Sequence, residues 1–313
     1  MFIKREGINE LLHGAVDMHV HAYPEIHFDC ELRLTDLETL QMAKDYGMRG
    51  IVFKSHMWPT MASVYQMQQR ISGIEAYPSI ALNVSSGGIN AWAVESAAEQ
   101  GARVVWMPTW STKNDIRNGG FYKHMQEVLH RTTDFKEEDG LYILDEHGKV
   151  TQNVREVIEI VKQYDLPLFT GHLSPPESLA LMRACNEMGL KKVVMDHPDS
   201  YSIRATQEQV EEMARLGGFI EFVALGTLPA QQRIHPRKIA EIIKRVGADH
   251  VILDTDCFFD YPCPAPEMLR MLVASLLHFG ITPEEIIQMV RTNPYYLLNI
   301  PQDAPMPAEN PQP

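Results

Sequence analysis

The chain has 313 residues, 45% of them hydrophobic and 22% charged, with a formal net charge of −13. This is the composition of a folded globular protein, and its acidic balance argues against a nucleic-acid partner, which wants a basic face. No apolar run reaches the roughly 18 residues of a membrane span, the opening "MFIKREGINELLHGAVD" lacks a signal-peptide core, and Cys30, Cys185, Cys257 and Cys263 show no Cys-x-x-Cys spacing. Reduced thiols, no membrane partner and a cytoplasmic location are expected.

Eight apolar runs of strand length alternate with helical patterns. In chain order they are "AVDMHVH" (15–21), "RGIVFKSH" (49–56), "AYPSIALN" (76–83), "ARVVWMPTW" (102–110), "LPLFTGHLS" (166–174), "KVVMDHP" (192–198), "FIEFVAL" (219–225) and "VILDTDC" (251–257). Several are apolar almost throughout, as parallel strands buried on both faces are. Between them, Thr35 and Glu38, Ser174 and Glu177, and Thr282 and Glu285 have capping-box spacing. Glycines follow many helical stretches, where a left-handed residue ends the helix. Eight such units predict an α/β fold, a single (β/α)8 TIM barrel over 1–300. A doubly wound open sheet is the alternative.

The units are even except after the fourth strand, where a polar insertion spans about 111–152. Its "LYILDEHGKV" predicts a hairpin turning at Glu146–Gly148. An insertion on that face is a candidate lid or pocket wall, or else a subunit contact. The tail 301–313 is Pro-rich and expected to be extended or disordered.

In such a barrel, chemistry sits at the C-terminal ends of the strands. His19 and His21 close the first strand and, two apart, share a side of it. Lys54 and His56 close the second, His172 the fifth, His197 the sixth and Asp254 the eighth. Any one histidine at a strand end is more often an ordinary hydrogen-bonded residue. A set that converges at one barrel mouth points to a divalent metal held by imidazole and carboxylate.

The order His-x-His on strand one, His on strand five, His on strand six and Asp on strand eight resembles the amidohydrolase superfamily of metal-dependent hydrolases. The resemblance covers about 13–300, and "RTNPYYLLNI" (291–300) is similar to that superfamily's last helical segment. It implies His19, His21, His172, His197 and Asp254 as ligands. Many two-metal members bridge their ions with a carboxylated lysine or a glutamate at the end of strand four. Here strand four, "VVWMPTW", has neither. Lys54 on strand two is the available lysine, and a carboxylated Lys54 would bridge two ions. If Lys54 instead stays protonated, it binds an acid or a substrate anion, and one ion on His19, His21, His172 and Asp254 is expected. Zinc suits the donors; manganese and iron remain open.

The implied reaction cleaves an amide, cyclic amide or lactone with metal-activated water. Asp254 is expected to carry the proton, and His56 to steady the oxyanion or to orient a ligand. Trp58, Trp106, Trp110 and Tyr201, with Phe258, Phe259 and Tyr261, suggest a ring-bearing small molecule. Arg204 or Arg233 could hold its carboxylate. A decarboxylase or carbon–carbon hydrolase, a phosphoesterase and an inactive binding barrel are the alternatives. The insertion and tail are candidate homo-oligomer contacts.

Overall fold

In the computed structural model, which describes residues 5–26, 34–130 and 134–309, the apolar runs become parallel strands separated by helices. They are β1 (Val16–His21), β2 (Gly50–Lys54), β3 (Glu75–Tyr77), β4 (Ser79–Ala81), β5 (Val104–Trp106), β6 (Leu168–Phe169), β7 (Val193–Met195), β8 (Phe219–Val223) and β9 (Val251–Asp254). The third run of the sequence is thus two strands, β3 and β4, with Pro78 between them. Proline has no N–H to give to a ladder. The break divides the strands into a sheet β1-β2-β3 and a sheet β4 to β9.

Neighbours follow chain order throughout, without the reversal that a doubly wound sheet requires. At the remaining seam, β9 runs back to β1. Asp256 N donates to His19 O at 2.8 Å and His21 N to Cys257 O at 3.1 Å, around a single parallel bridge between Val20 and Cys257. Two main-chain bonds join the ends there in place of a full ladder.

Alternation along the strands makes two cores. Val16, Met18, Val52, Val104, Trp106, Phe169 and Ile252 point inward and fill the barrel. Their neighbours face the helices, as Ile51, Phe53, Val105 and Leu253 do. The helix Gln152–Gln163 buries Val154, Val157, Ile158 and Val161 on one face, and Pro236–Val246 buries Ile239, Ala240, Ile242 and Ile243. All three capping boxes form at their helix starts.

The insertion carries helices Lys113–Asn118 and Tyr122–Val128 and an antiparallel bridge between Leu144 and Val150, whose turn is closed by Asp145 N donating to Lys149 O at 2.7 Å. The described part of the tail lies across the barrel's N-terminal end. Ala304 packs on the interior cluster, Arg49 donates to Pro305 O at 2.8 Å, and Glu309 pairs with Lys44 at 2.8 Å. Cys185 and Cys257 are free thiols; Cys30 lies outside the described residues. No helix among the described residues is long and apolar enough to cross a membrane.

Candidate metal centre

His19 and His21 stand on one side of β1, both buried. Their Nε2 atoms meet the same carboxylate oxygen, Oδ1 of Asp256, at 3.3 and 3.1 Å. Of their Nδ1 atoms, that of His19 is hydrogen-bonded to Glu221 Oε1 at 2.9 Å, and that of His21 lies 3.2 Å from Glu25 Oε1 as a charge contact without a hydrogen bond. His172 repeats the His19 arrangement, its Nδ1 2.7 Å from Asp115 Oδ1. A carboxylate on Nδ1 holds the proton there and leaves the Nε2 lone pair for a ligand role. The His197 ring stacks 5.7 Å from His19 and lies edge-on to His172 at 5.2 Å, so the four rings converge.

His19, His21 and Asp256 each offer a ligand atom, and these lie within 4.8 Å of one another. The groups His19–His197–Glu221 and His21–Glu25–His56 meet the same distance. In both, however, the glutamate sits on the Nδ1 of a ring whose Nε2 meets Asp256, so it is used in orienting that ring. Burial holds His19 and His197 well below the ordinary histidine range, with Lys54 adding to the effect at His19. Neutral imidazoles are what a cation needs. Burial would raise Asp256, but His19 and His21 hold it well below the usual carboxylate range.

Asp254, the expected ligand and proton carrier, is not in this constellation. It ends β9 one layer deeper, where its Oδ1 accepts from Met18 N at 2.6 Å, and burial with Glu221 beside it pushes its carboxyl well above the usual range. Asp256 stands in its place. The chain leaves the strand after Asp254, and a φ of 49° at Asp256 turns that carboxylate onto the two histidines.

Lys54 is fully buried, with Nζ 2.8 Å from His19 Nε2 and 5.1 Å from the Trp106 ring centroid. His56 gives its Nδ1 to Glu25, which also accepts from His56 N at 2.8 Å, and its ring stacks on Phe121 of the insertion at 4.0 Å. Burial lowers His56 to about 3. At Gly171 (φ 58°) a Cβ would run into the carbonyl oxygens of Met107 and Pro108. That close approach lets His172 N donate to Pro108 O at 3.0 Å and sets the height of its ring.

A cavity of about 350 Å³ opens above these groups, with His21, Lys54, His172, His197 and Asp256 among its lining. Phe121, Lys123 and His124 of the insertion form part of its wall, with Tyr201, Arg233, Phe258 and Phe259. The tryptophans are elsewhere. Trp58 is 64% exposed and outside the cavity, because the chain turns outward after His56. Trp106 is buried in the barrel floor beneath Lys54. Trp110 is buried against Met57, Tyr122 and Met125 and donates to His56 O at 3.2 Å. Arg204 also lies outside, donating to Tyr201 O at 2.9 Å. Of the expected substrate residues, Tyr201, Phe258, Phe259 and Arg233 line the cavity.

Four residues of the site were not among those expected: Asp256, Glu221, Glu25 and Asp115. Asp256 and Glu221 lie on the quoted strand segments "VILDTDC" and "FIEFVAL" and were open to the same strand-end reading. Glu25 and Asp115 carry no such signal.

Solved structures share this architecture. An amidohydrolase from Pseudomonas aeruginosa aligns with a TM-score of 0.63 at 12% identity, over 94% of this chain and 97% of that one. The probable dipeptidase PvdM from the same organism gives 0.62 at 12%, over 95% and 98%. A mutant organophosphorus hydrolase from Deinococcus radiodurans gives 0.59 at 14%, over 92% and 94%. The chain therefore has the amidohydrolase-type (β/α)8 barrel fold. By sequence, residues 14–221 match a family of unknown function, DUF6282, and the chain belongs to that family. Comparison with curated proteins finds no match.

Proposed function

We propose that the chain is a metal-dependent hydrolase that cleaves an amide, cyclic amide or lactone of a small substrate. The observation that carries this reading is the shared design of His19 and His172, each tied at Nδ1 by a buried carboxylate. A metal site needs that orientation, and a merely packed histidine does not. His19, His21, His172, His197 and Asp256 would hold the ion. A divalent ion there, with zinc best matched to the donors, supplies a polarised carbonyl and an activated water.

The remaining steps fall to this chain's own groups. Asp256, at the cavity beside His19 and His21, is the carboxylate placed to accept a proton and return it to the leaving group. His56 has its Nδ1 on Glu25, so a neutral ring presents a lone pair to the cavity. It thus orients neighbouring groups; an oxyanion would need a donor. Lys54 Nζ and an ion would compete for the one Nε2 lone pair of His19. A carboxylated Lys54 would instead offer an anionic oxygen, the arrangement that suits two ions.

Metal analysis of the purified protein, with turnover measured on N-acyl amino acids, cyclic amides and lactones, tests the reading. One or two equivalents of metal and chelator-sensitive turnover are expected. Asp256→Asn should lose about 10³-fold in rate, in line with removal of a ligand and proton carrier, while Asp254→Asn keeps its metal. Protein that contains no metal and takes up none would refute it.

A further inference from the structure

Arg233 enters the cavity from the segment after β8, with its side chain 9% exposed. Nε and Nη2 are buried and have no hydrogen-bond partner among the described residues. The nearest acid is Asp199, whose Oδ2 lies 3.9 Å from Nε and whose two oxygens are equally unpartnered. Asp199 thus supplies compensating charge without taking up the donors. A buried guanidinium is unfavourable unless something accepts its hydrogens.

The surroundings hold Arg233 in place against Asp199. Its main-chain N donates to Gly226 O at 2.9 Å. A Cβ on Gly226 would come 2.7 Å from Asp199 Oδ2 and 3.5 Å from Nε and Nη2, so any larger residue would crowd the pair. Arg233 and His197 line the same cavity, and Phe121, Phe258 and Phe259 make its apolar walls. The planar fork of a guanidinium matches the two oxygens of a carboxylate.

We propose that Arg233 anchors a carboxylate of the substrate, so that the substrate class is small carboxylic acids bearing a hydrolysable bond and an apolar or aromatic group. The claim rests on reading the cavity as the hydrolytic site. Benzoate and benzamide are close in shape and differ in charge. Both are titrated calorimetrically into the full-length protein as purified and into Arg233→Met and Arg233→Lys.

Wild type should prefer benzoate by about tenfold or more, the scale of a charge-assisted hydrogen bond. Arg233→Met should abolish the preference with benzamide affinity unchanged, and Arg233→Lys should keep part of it. Since Arg233→Met leaves Asp199 buried and uncompensated, the double variant Arg233→Met/Asp199→Asn should show the same loss at an unchanged melting temperature. Equal benzoate binding by wild type and the double variant overturns the proposal. So does a wild type that fails to distinguish the probes, or a preference that disappears on chelation, which would place the anion on the metal. Absence of metal would sink the hydrolase reading and leave the Arg233 comparison readable.

Discussion

Asp115 belongs to the insertion, yet it fixes a residue of the barrel. Its Oδ1 accepts from His172 Nδ1 at 2.7 Å and from Phe121 N at 3.2 Å, and its Oδ2 accepts from Tyr122 N at 2.6 Å. Asp115→Asn keeps the size and weakens the hold on the Nδ1 proton. Metal affinity should fall about 10- to 100-fold, the usual effect of removing a partner behind a ligand, as measured by competition with a chelating dye. Unchanged affinity would mean that Asp115 only folds the insertion. At this scale, the sequence showed His19 and His21 because a spacing of two puts them on one side of a strand. It could not show Asp115, which meets His172 57 residues away, or that Glu25, four residues past His21, also holds His56 31 residues on. It pointed to Asp254 at the strand end, whereas the carboxylate that meets His19 and His21 is Asp256, two residues further on.

Single elements obey local rules where their chemistry is local. Thr282 accepts from Glu285 N at 3.2 Å, Glu285 Oε2 accepts from Thr282 N at 2.7 Å, and Pro283 opens the helix. All three features are readable from four consecutive residues. Thr282→Ala should cost about 1 kcal/mol of stability, seen as a lower urea midpoint with an unchanged slope. The third strand shows the opposite case. Pro78 is visible in "AYPSIALN", but the flanking apolar residues read as one strand, and the proline ends one ladder and starts another. The tryptophans lie outside the cavity for a related reason. Proximity to a strand end says nothing about which way a ring points, and Trp106 and Trp110 point into packed interior.

For the whole molecule, strand number and order follow from eight repeats of one pattern, so the barrel was legible. The tail's position was not, because it depends on surfaces that exist only once the barrel has formed. The tail covers the end opposite the histidines. Ending the chain after Gln302 would remove Ala304, the Arg49–Pro305 contact and the Lys44–Glu309 pair. The melting temperature should drop by about 1–2 °C, as for a loss of roughly 1 kcal/mol in a chain of this size. Metal content should stay that of the full chain, and a loss of metal would show that the two ends are coupled.

Gly171 has a consequence for how this protein can change. A histidine at 172 could be traded for another donor, and exposed wall positions such as Lys123, His124 and Glu127 can change without touching the core. No L-amino acid with a side chain fits at 171 without moving the β5 end of the barrel. A selection for activity on new substrates should therefore accumulate its changes at those wall positions, with position 171 still glycine in every surviving lineage.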